Sequence, residues 1–160
     1  MRLPGFLLLI AIFILACQPK TEQQTSGNET DTPAVTYDCA HCGMPSKEFP
    51  EWNTRITTAE GEQWTCSPRC MLILTKKDKP MADAQIAVVD YYNQQMIDGK
   101  TAFYVIKSQQ TGPMGHDFVP LQTAEAAQEF LNDYAGDRIL RYEEITPDVI
   151  EEVVRYKPAP

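Results

Sequence analysis

At 160 residues, with 43% hydrophobic and 22% charged side chains, the chain has room for one compact domain or two very small ones, which excludes a large multidomain enzyme. Its 22 acidic against 14 basic residues give a formal net charge of -8, which leaves no electrostatic footprint for a phosphate backbone and argues against nucleic acid as a partner. Five cysteines make an odd set, so one of them is expected to stand apart from the rest.

Arg2 precedes an apolar run over 3–15, interrupted only by Pro4 and Gly5 and followed by Ala16 and Cys17. A positive start, a short apolar stretch and a small-residue junction are the parts of an export signal. The run is shorter than the roughly 20 apolar residues of a membrane-spanning helix. Ile14-Leu15-Ala16-Cys17 resembles a bacterial lipobox, in which the cysteine becomes the lipid-bearing first residue of the mature chain. An ordinary secretory cleavage nearby is the simpler alternative. The lipobox reading makes 1–16 a signal peptide and predicts an exported chain, anchored through lipid on Cys17 to a bacterial membrane. The anchored domain faces the periplasm or the cell exterior, from the outer membrane in a Gram-negative host. Residues 17–36 are rich in Gln, Thr, Ser, Gly and Asn without apolar periodicity, and read as a flexible tether. As a random coil it spans on the order of 20 to 25 Å.

Beyond the tether the pattern predicts an α+β fold. Residues 52–58 alternate and are β-branched, 59–62 supply a turn, and 63–66 are extended again, so a hairpin is expected. Ser67 before Pro68 is an N-cap with proline at the first helical position. Cys70, Met71, Ile73 and Leu74 then share one side of a short helix ending near Lys76 and Lys77. Lys79-Pro80 breaks it, and 85–92 form a third, largely buried strand. The same order then recurs: a strand over 101–107, a glycine- and proline-bearing loop over 109–115, and a strand over 116–121. Thr123 caps a helix with Ala124, Ala127, Phe130, Leu131 and Tyr134 on one face, and Gly136 ends it. A closing strand over 138–145 leads through Thr146-Pro147 to a last helix with Val149, Ile150, Val153 and Val154 inward. Two similar strand-strand-helix-strand units, 37–98 and 99–160, are therefore expected. The repeated element order itself covers about 51–92 and 101–145, and units of about 45 residues bury little surface alone, so the two should pack together, with a metal as reinforcement.

If Cys17 carries lipid, four cysteines remain. Cys39-Ala40-His41-Cys42 is a Cys-x2-Cys pair and Cys66-Ser67-Pro68-Arg69-Cys70 a Cys-x3-Cys pair at a strand-to-helix junction. Two such pairs have metal-site spacing. A loop pair plus a pair at the first turn of a helix is the layout of treble-clef zinc sites, because a helix N-terminus stabilises thiolate charge. All-thiolate tetrahedral ligation suits Zn(II), whereas low-coordinate sites mixing thiolate and thioether suit Cu(I). Disulfides are the alternative in an oxidising compartment, Cys39 with Cys42 or Cys66 with Cys70. The same Cys-x2-Cys pair admits a periplasmic thiol oxidoreductase. Met44 and Met114 each lie in a tight glycine-bearing loop, where a thioether is a candidate ligand; Met71, Met81 and Met96 are expected as packing residues. His41 and His116 flank the sulfur candidates. No Ser-His-Asp order, phosphate loop or paired-carboxylate motif points to a hydrolase, and the expectation is a protein that is not an enzyme.

The segments Cys39-x2-Cys42-Gly43-Met44-Pro45, Gln63-Trp64-Thr65-Cys66-Ser67, Lys100-Thr101-Ala102-Phe103-Tyr104-Val105-Ile106, Gly112-Pro113-Met114-Gly115-His116 and Arg138-Ile139-Leu140-Arg141-Tyr142 resemble the NosL family of lipoprotein accessory factors of nitrous oxide reductase. The resemblance runs from about residue 37 to residue 145. It implies a pair of similar strand-strand-helix-strand units and a Cu(I) chaperone that passes copper toward nitrous oxide reductase or its assembly factors. It further implies Cys42 and Met114 as copper ligands, with Cys66 or His116 as an additional candidate. Cys70 is an extra thiol relative to many members. With Cys39, Cys42 and Cys66 it leaves open whether the cysteines hold zinc, bind copper, or do each in different states.

Overall fold

The computed structural model describes residues 36–158. The signal segment 1–16, Cys17 with its expected lipid, and all but the last residue of the tether lie outside the described residues. Among those described, no helix is long and apolar enough to cross a membrane.

The first hairpin forms where β-branched alternation meets a turn glycine. β1 (Thr54–Thr58) and β2 (Gly61–Thr65) pair antiparallel from Thr54 opposite Thr65 to Thr58 opposite Gly61. Gly61 takes φ +135° at the turn, a conformation that side-chain-bearing residues rarely adopt. α1 (Pro68–Leu72) begins as expected, with Ser67 extended and Pro68 in the first turn. It does not continue as a plain α-helix to Lys76, because residues Ile73–Asp78 widen into a π-helical turn. There the Thr75 hydroxyl bonds back to the Met71 carbonyl at 2.8 Å, competing with the regular backbone ladder. β3 (Gln85–Val89) pairs with β1, and a short strand β4 (Met96–Asp98) pairs with β3 to give the order β2-β1-β3-β4. The sequence pattern missed β4 because three residues between polar flanks carry no usable alternation.

β5 (Phe103–Gly112) is longer than expected and absorbs most of the segment read as a loop over 109–115. A register shift between Ile106 and Thr111, with Lys107 at φ 52°, carries the strand through a bulge, and the turn shrinks to Gly112–Gly115. β6 (Gly115–Leu121) returns antiparallel, and β7 (Arg138–Arg141) pairs with the other edge of β5. The closing strand stops at Arg141 rather than residue 145. The Glu144 carboxylate accepts from the Arg141 N–H at 2.6 Å and folds Tyr142–Glu144 into a 3-10 turn.

α2 (Ala124–Asp133) is capped by Thr123 and buries Ala127 and Phe130. α3 (Pro147–Arg155) is capped by Thr146 and buries Ile150 and Val153. Val154, expected inward, is 42% exposed. Successive helical residues turn by about 100°, so adjacent Val153 and Val154 cannot both lie on a narrow buried stripe.

The second sheet has the order β6-β5-β7, which repeats the β2-β1-β3 order of the first. The duplicated element order is thus also a duplicated strand order, and the fold is α+β with two antiparallel sheets. One continuous apolar cluster joins them: Ile56, Ile86 and Val88 from the first sheet meet Tyr104, Ile106 and Phe118 from the second, with Met71 and Leu72 of α1. α1 also lies against β6 of the second sheet, which brings the Cys-x3-Cys pair near the β5–β6 hairpin.

Candidate metal centre

The Cys39–Cys42 pair sits in a short knuckle held by backbone bonds. The Cys39 N–H donates to the Met44 carbonyl at 2.7 Å and the Gly43 N–H to the Cys39 carbonyl at 2.8 Å. Asp38 and Pro45 form an isolated antiparallel bridge at its base. Gly43 stands at φ +78°, the left-handed region, which gives the Cys-Gly-Met order a local cause: the chain reverses directly after Cys42. The Ala40 N–H donates to the Trp64 carbonyl at 2.9 Å and docks the knuckle on β2, two residues before Cys66.

The second pair is placed by the helix start. Cys66 follows β2, Ser67 forms the N-cap and accepts from the Cys70 N–H, and Cys70 therefore stands in the first turn of α1. The two pairs converge. Cys42 and Cys66 Sγ are 3.6 Å apart, Cys66 and Cys70 3.6 Å, and Cys42 and Cys70 3.8 Å. All four Sγ atoms, Cys39 included, lie within 4.8 Å of one another. A regular tetrahedron with metal–sulfur bonds of about 2.3 Å has edges of about 3.8 Å, so these spacings suit four sulfurs on one ion. A disulfide needs about 2.05 Å, and all four cysteines are free thiols.

Cys39, Cys66 and Cys70 are at most 3% exposed, and Cys42 alone is partly open to solvent. Met44 and Phe49 pack against the cluster. So many thiols in a buried space polarise one another. Hydrogen bonds from Cys66 and Cys70 hold the Cys39 thiol far below its ordinary range. Cys66 is pushed up to about 12, chiefly by its bond to Cys39, and Cys70 is raised further by its bonds to Cys39 and Cys66 and by burial. The thiols share their protons as a coupled set, and binding of an ion as thiolates must release the protons that the set holds.

Neither histidine candidate joins the four-thiol cluster. Met114 occupies the β5–β6 turn and is 40% exposed. His116 opens β6; its Nδ1 is buried without a hydrogen-bond partner and its ring meets Tyr156 edge-on at 4.7 Å. His116 is not among the ligand atoms gathered within 4.8 Å. His41, inside the knuckle, directs Nδ1 toward the Asp78 carboxylate at 3.5 Å. Met71 is fully buried in the shared core, as a packing residue should be, while Met96 is 39% exposed on the β4 edge. Two residues not weighed in the sequence connect the parts. Arg69, between Cys66 and Cys70, donates to the carbonyls of Met114 and His116, and Asp117 is wholly buried beneath them. A charged residue inside a Cys-x3-Cys loop was the available signal for Arg69; the long-range partner that buries it was not legible.

Fold and site together define a small α+β metal-binding domain, with four convergent thiols in its first sheet-and-helix unit and a methionine- and histidine-bearing hairpin from the second beside its helix. The NosL family profile matches residues 32–150, and the chain belongs to the NosL family. The crystal structure of the copper chaperone NosL from Shewanella denitrificans matches with a TM-score of 0.63 at 25% identity, covering 76% of this chain and 98% of that one. No curated relative matches the chain.

Proposed function

We propose that the protein is a membrane-tethered copper chaperone that binds Cu(I) as cargo and delivers it to nitrous oxide reductase or its assembly factors. The observation that carries this reading is the convergence of four free thiols with one of them, Cys42, open to solvent. Soft thiolates select Cu(I), and an open ligand at the rim is where an acceptor can enter. Family membership and the copper chaperone of similar fold support the same assignment. Release runs by ligand exchange: an acceptor thiolate, thioether or imidazole takes a free coordination position on Cu(I) before the donor ligands leave. Cu(I) stays Cu(I), so the step needs no oxidant or reductant. We assign Cys42 and Met114 to the transferable site, with Cys66 or His116 as a third ligand. The exposed Met114 thioether is the weaker bond and leaves first. Lipid on Cys17 keeps the domain at the membrane.

The near-tetrahedral spacing of the thiols and the burial of three of them favour a second reading, a structural Zn(II) centre held by Cys39, Cys42, Cys66 and Cys70. A thiol oxidoreductase has less support, because Cys39 and Cys42 sit in a backbone turn and not at a helix N-terminus. Anaerobic competition titration with a Cu(I) chelator, followed by transfer to metal-free nitrous oxide reductase, tests the chaperone reading. One tightly bound Cu(I) that passes to the reductase supports it. Chelator-resistant zinc at one equivalent with no exchange of Cu(I) overturns it in favour of the structural centre.

A further inference from the structure

Arg69 stands between two cysteines of the metal centre, yet is itself 7% exposed. A guanidinium cannot lose its charge, so burial at this depth requires acceptors. Arg69 finds them on the other sheet: its two terminal nitrogens donate to the backbone carbonyls of Met114 and His116, the latter at 3.1 Å. Its own N–H donates to Asp117 Oδ1 at 2.7 Å, and the same oxygen accepts from the Phe118 N–H at 2.8 Å. Gly115, at φ +95°, turns the chain between the two clamped carbonyls; a Cβ there would stand 3.9 Å from the guanidinium. One residue of α1 therefore grips residues 114, 116 and 117 of the β5–β6 hairpin. At 114 and 116 it does so through backbone carbonyls, so the clamp uses neither the thioether of Met114 nor the imidazole of His116.

We propose that Arg69 is a positioning residue that fastens the Met114-Gly115-His116 turn to the Cys66–Cys70 segment, so that the backbone carrying thioether and imidazole keeps a fixed place relative to the thiols. The consequence for copper rests on the Cu(I) reading above; the clamp itself does not. The requirement is for a fork with two donors at a set separation, which arginine supplies and lysine, a single flexible point charge, does not. Movement of Cys66 and Cys70 with the first turn of α1 is transmitted to Met114 and His116 through Arg69, because its backbone and side chain both end on the hairpin.

Two measurements test this on the soluble domain with its tether. In the metal-free protein, methyl NMR of methionine reads the turn directly. Arg69→Gln should shift and sharpen the Met114 methyl signal while that of Met44, beside the thiols, stays in place. In Cu(I) competition titrations, Arg69→Gln and Met114→Ala should each weaken binding about tenfold, and the double variant should be no weaker than the weaker single. Arg69→Lys should fall between wild type and Arg69→Gln, and takes its place if the glutamine variant fails to fold. An unmoved Met114 methyl overturns the clamp, and single effects that multiply to about a hundredfold overturn its role in copper binding. If wild type takes no Cu(I), the chaperone reading falls and the NMR result alone decides whether Arg69 positions the turn.

Discussion

Cys42 and Cys66 hold their sulfurs 3.6 Å apart although 24 positions separate them in the chain. The bond from the Ala40 N–H to the Trp64 carbonyl explains the approach, since it fixes the knuckle on the last residues of β2. The centre thus depends on the pairing of β1 with β2 and on the start of α1. Regular elements place Cys66 and Cys70, and backbone bonds pin the knuckle that carries Cys39 and Cys42 to β2.

Burial separates the four thiols by reactivity. In the reduced, metal-free protein a thiol reagent should label one cysteine quickly, Cys42, and Cys39, Cys66 and Cys70 only on the timescale of local opening. Mass spectrometry of the labelled peptides reads the order, and equal rates at all four would contradict the closed geometry. A bound ion should protect Cys42 as well.

Cys42→Ser should abolish high-affinity Cu(I) binding, whereas Met114→Ala should weaken it by about tenfold, the loss of one weaker ligand worth about 1.4 kcal/mol. Chelator competition under anaerobic conditions measures both. Unchanged affinity in the two variants would refute the assignment of the transferable site.

Ser67 caps the helix that carries Cys70. Ser67→Ala should cost about 1 kcal/mol of stability to chemical denaturation. It should also lower metal affinity, because the freed Cys70 N–H no longer fixes the first turn. Denaturant midpoints and metal titration on the same variant separate the two effects; a variant with wild-type values in both would show that the cap is dispensable.

Glu152 ties α3 to the second sheet through Arg138 and Lys107, with Arg138 Nη2 at 2.7 Å from its carboxylate. Arg138 first and Lys107 second hold the carboxyl down at about 2, below its ordinary 4.5. The unfolded chain therefore binds more protons than the folded one between these values. This contribution is complete above pH 4.5 and is lost as pH falls toward 2. Unfolding midpoints across that window should decline, and Glu152→Gln should flatten part of the decline. An identical slope in the variant would assign the acid loss to other carboxylates.

Legibility in the sequence followed the range of the interaction. Ser67-Pro68, Thr123 and Thr146-Pro147 marked three helix starts correctly because a cap and its N–H partner lie within three residues. The extent of β5, the end of β7 and the exposed face of Val154 were misread, since a bulge, a side-chain bond from Glu144 and the packing stripe of α3 decide them. Likewise the repeated element order was visible, but not that both sheets would place the first strand of the hairpin at the centre.

The sequence by itself determined the two cysteine pairs, the Cys-Gly-Met turn, the Gly-Pro-Met-Gly-His hairpin and, through them, the family. Tertiary structure alone decided that the pairs share one centre, that of their four thiols only Cys42 opens to solvent, and that Arg69 fastens the methionine hairpin to the cysteine helix. Spacing along a chain records which donors are available, because ligand chemistry is a property of side chains. Distance between donors is set by strand pairing and by buried groups seeking partners, and Arg69 found its acceptors 45 and 47 residues away, on a different sheet.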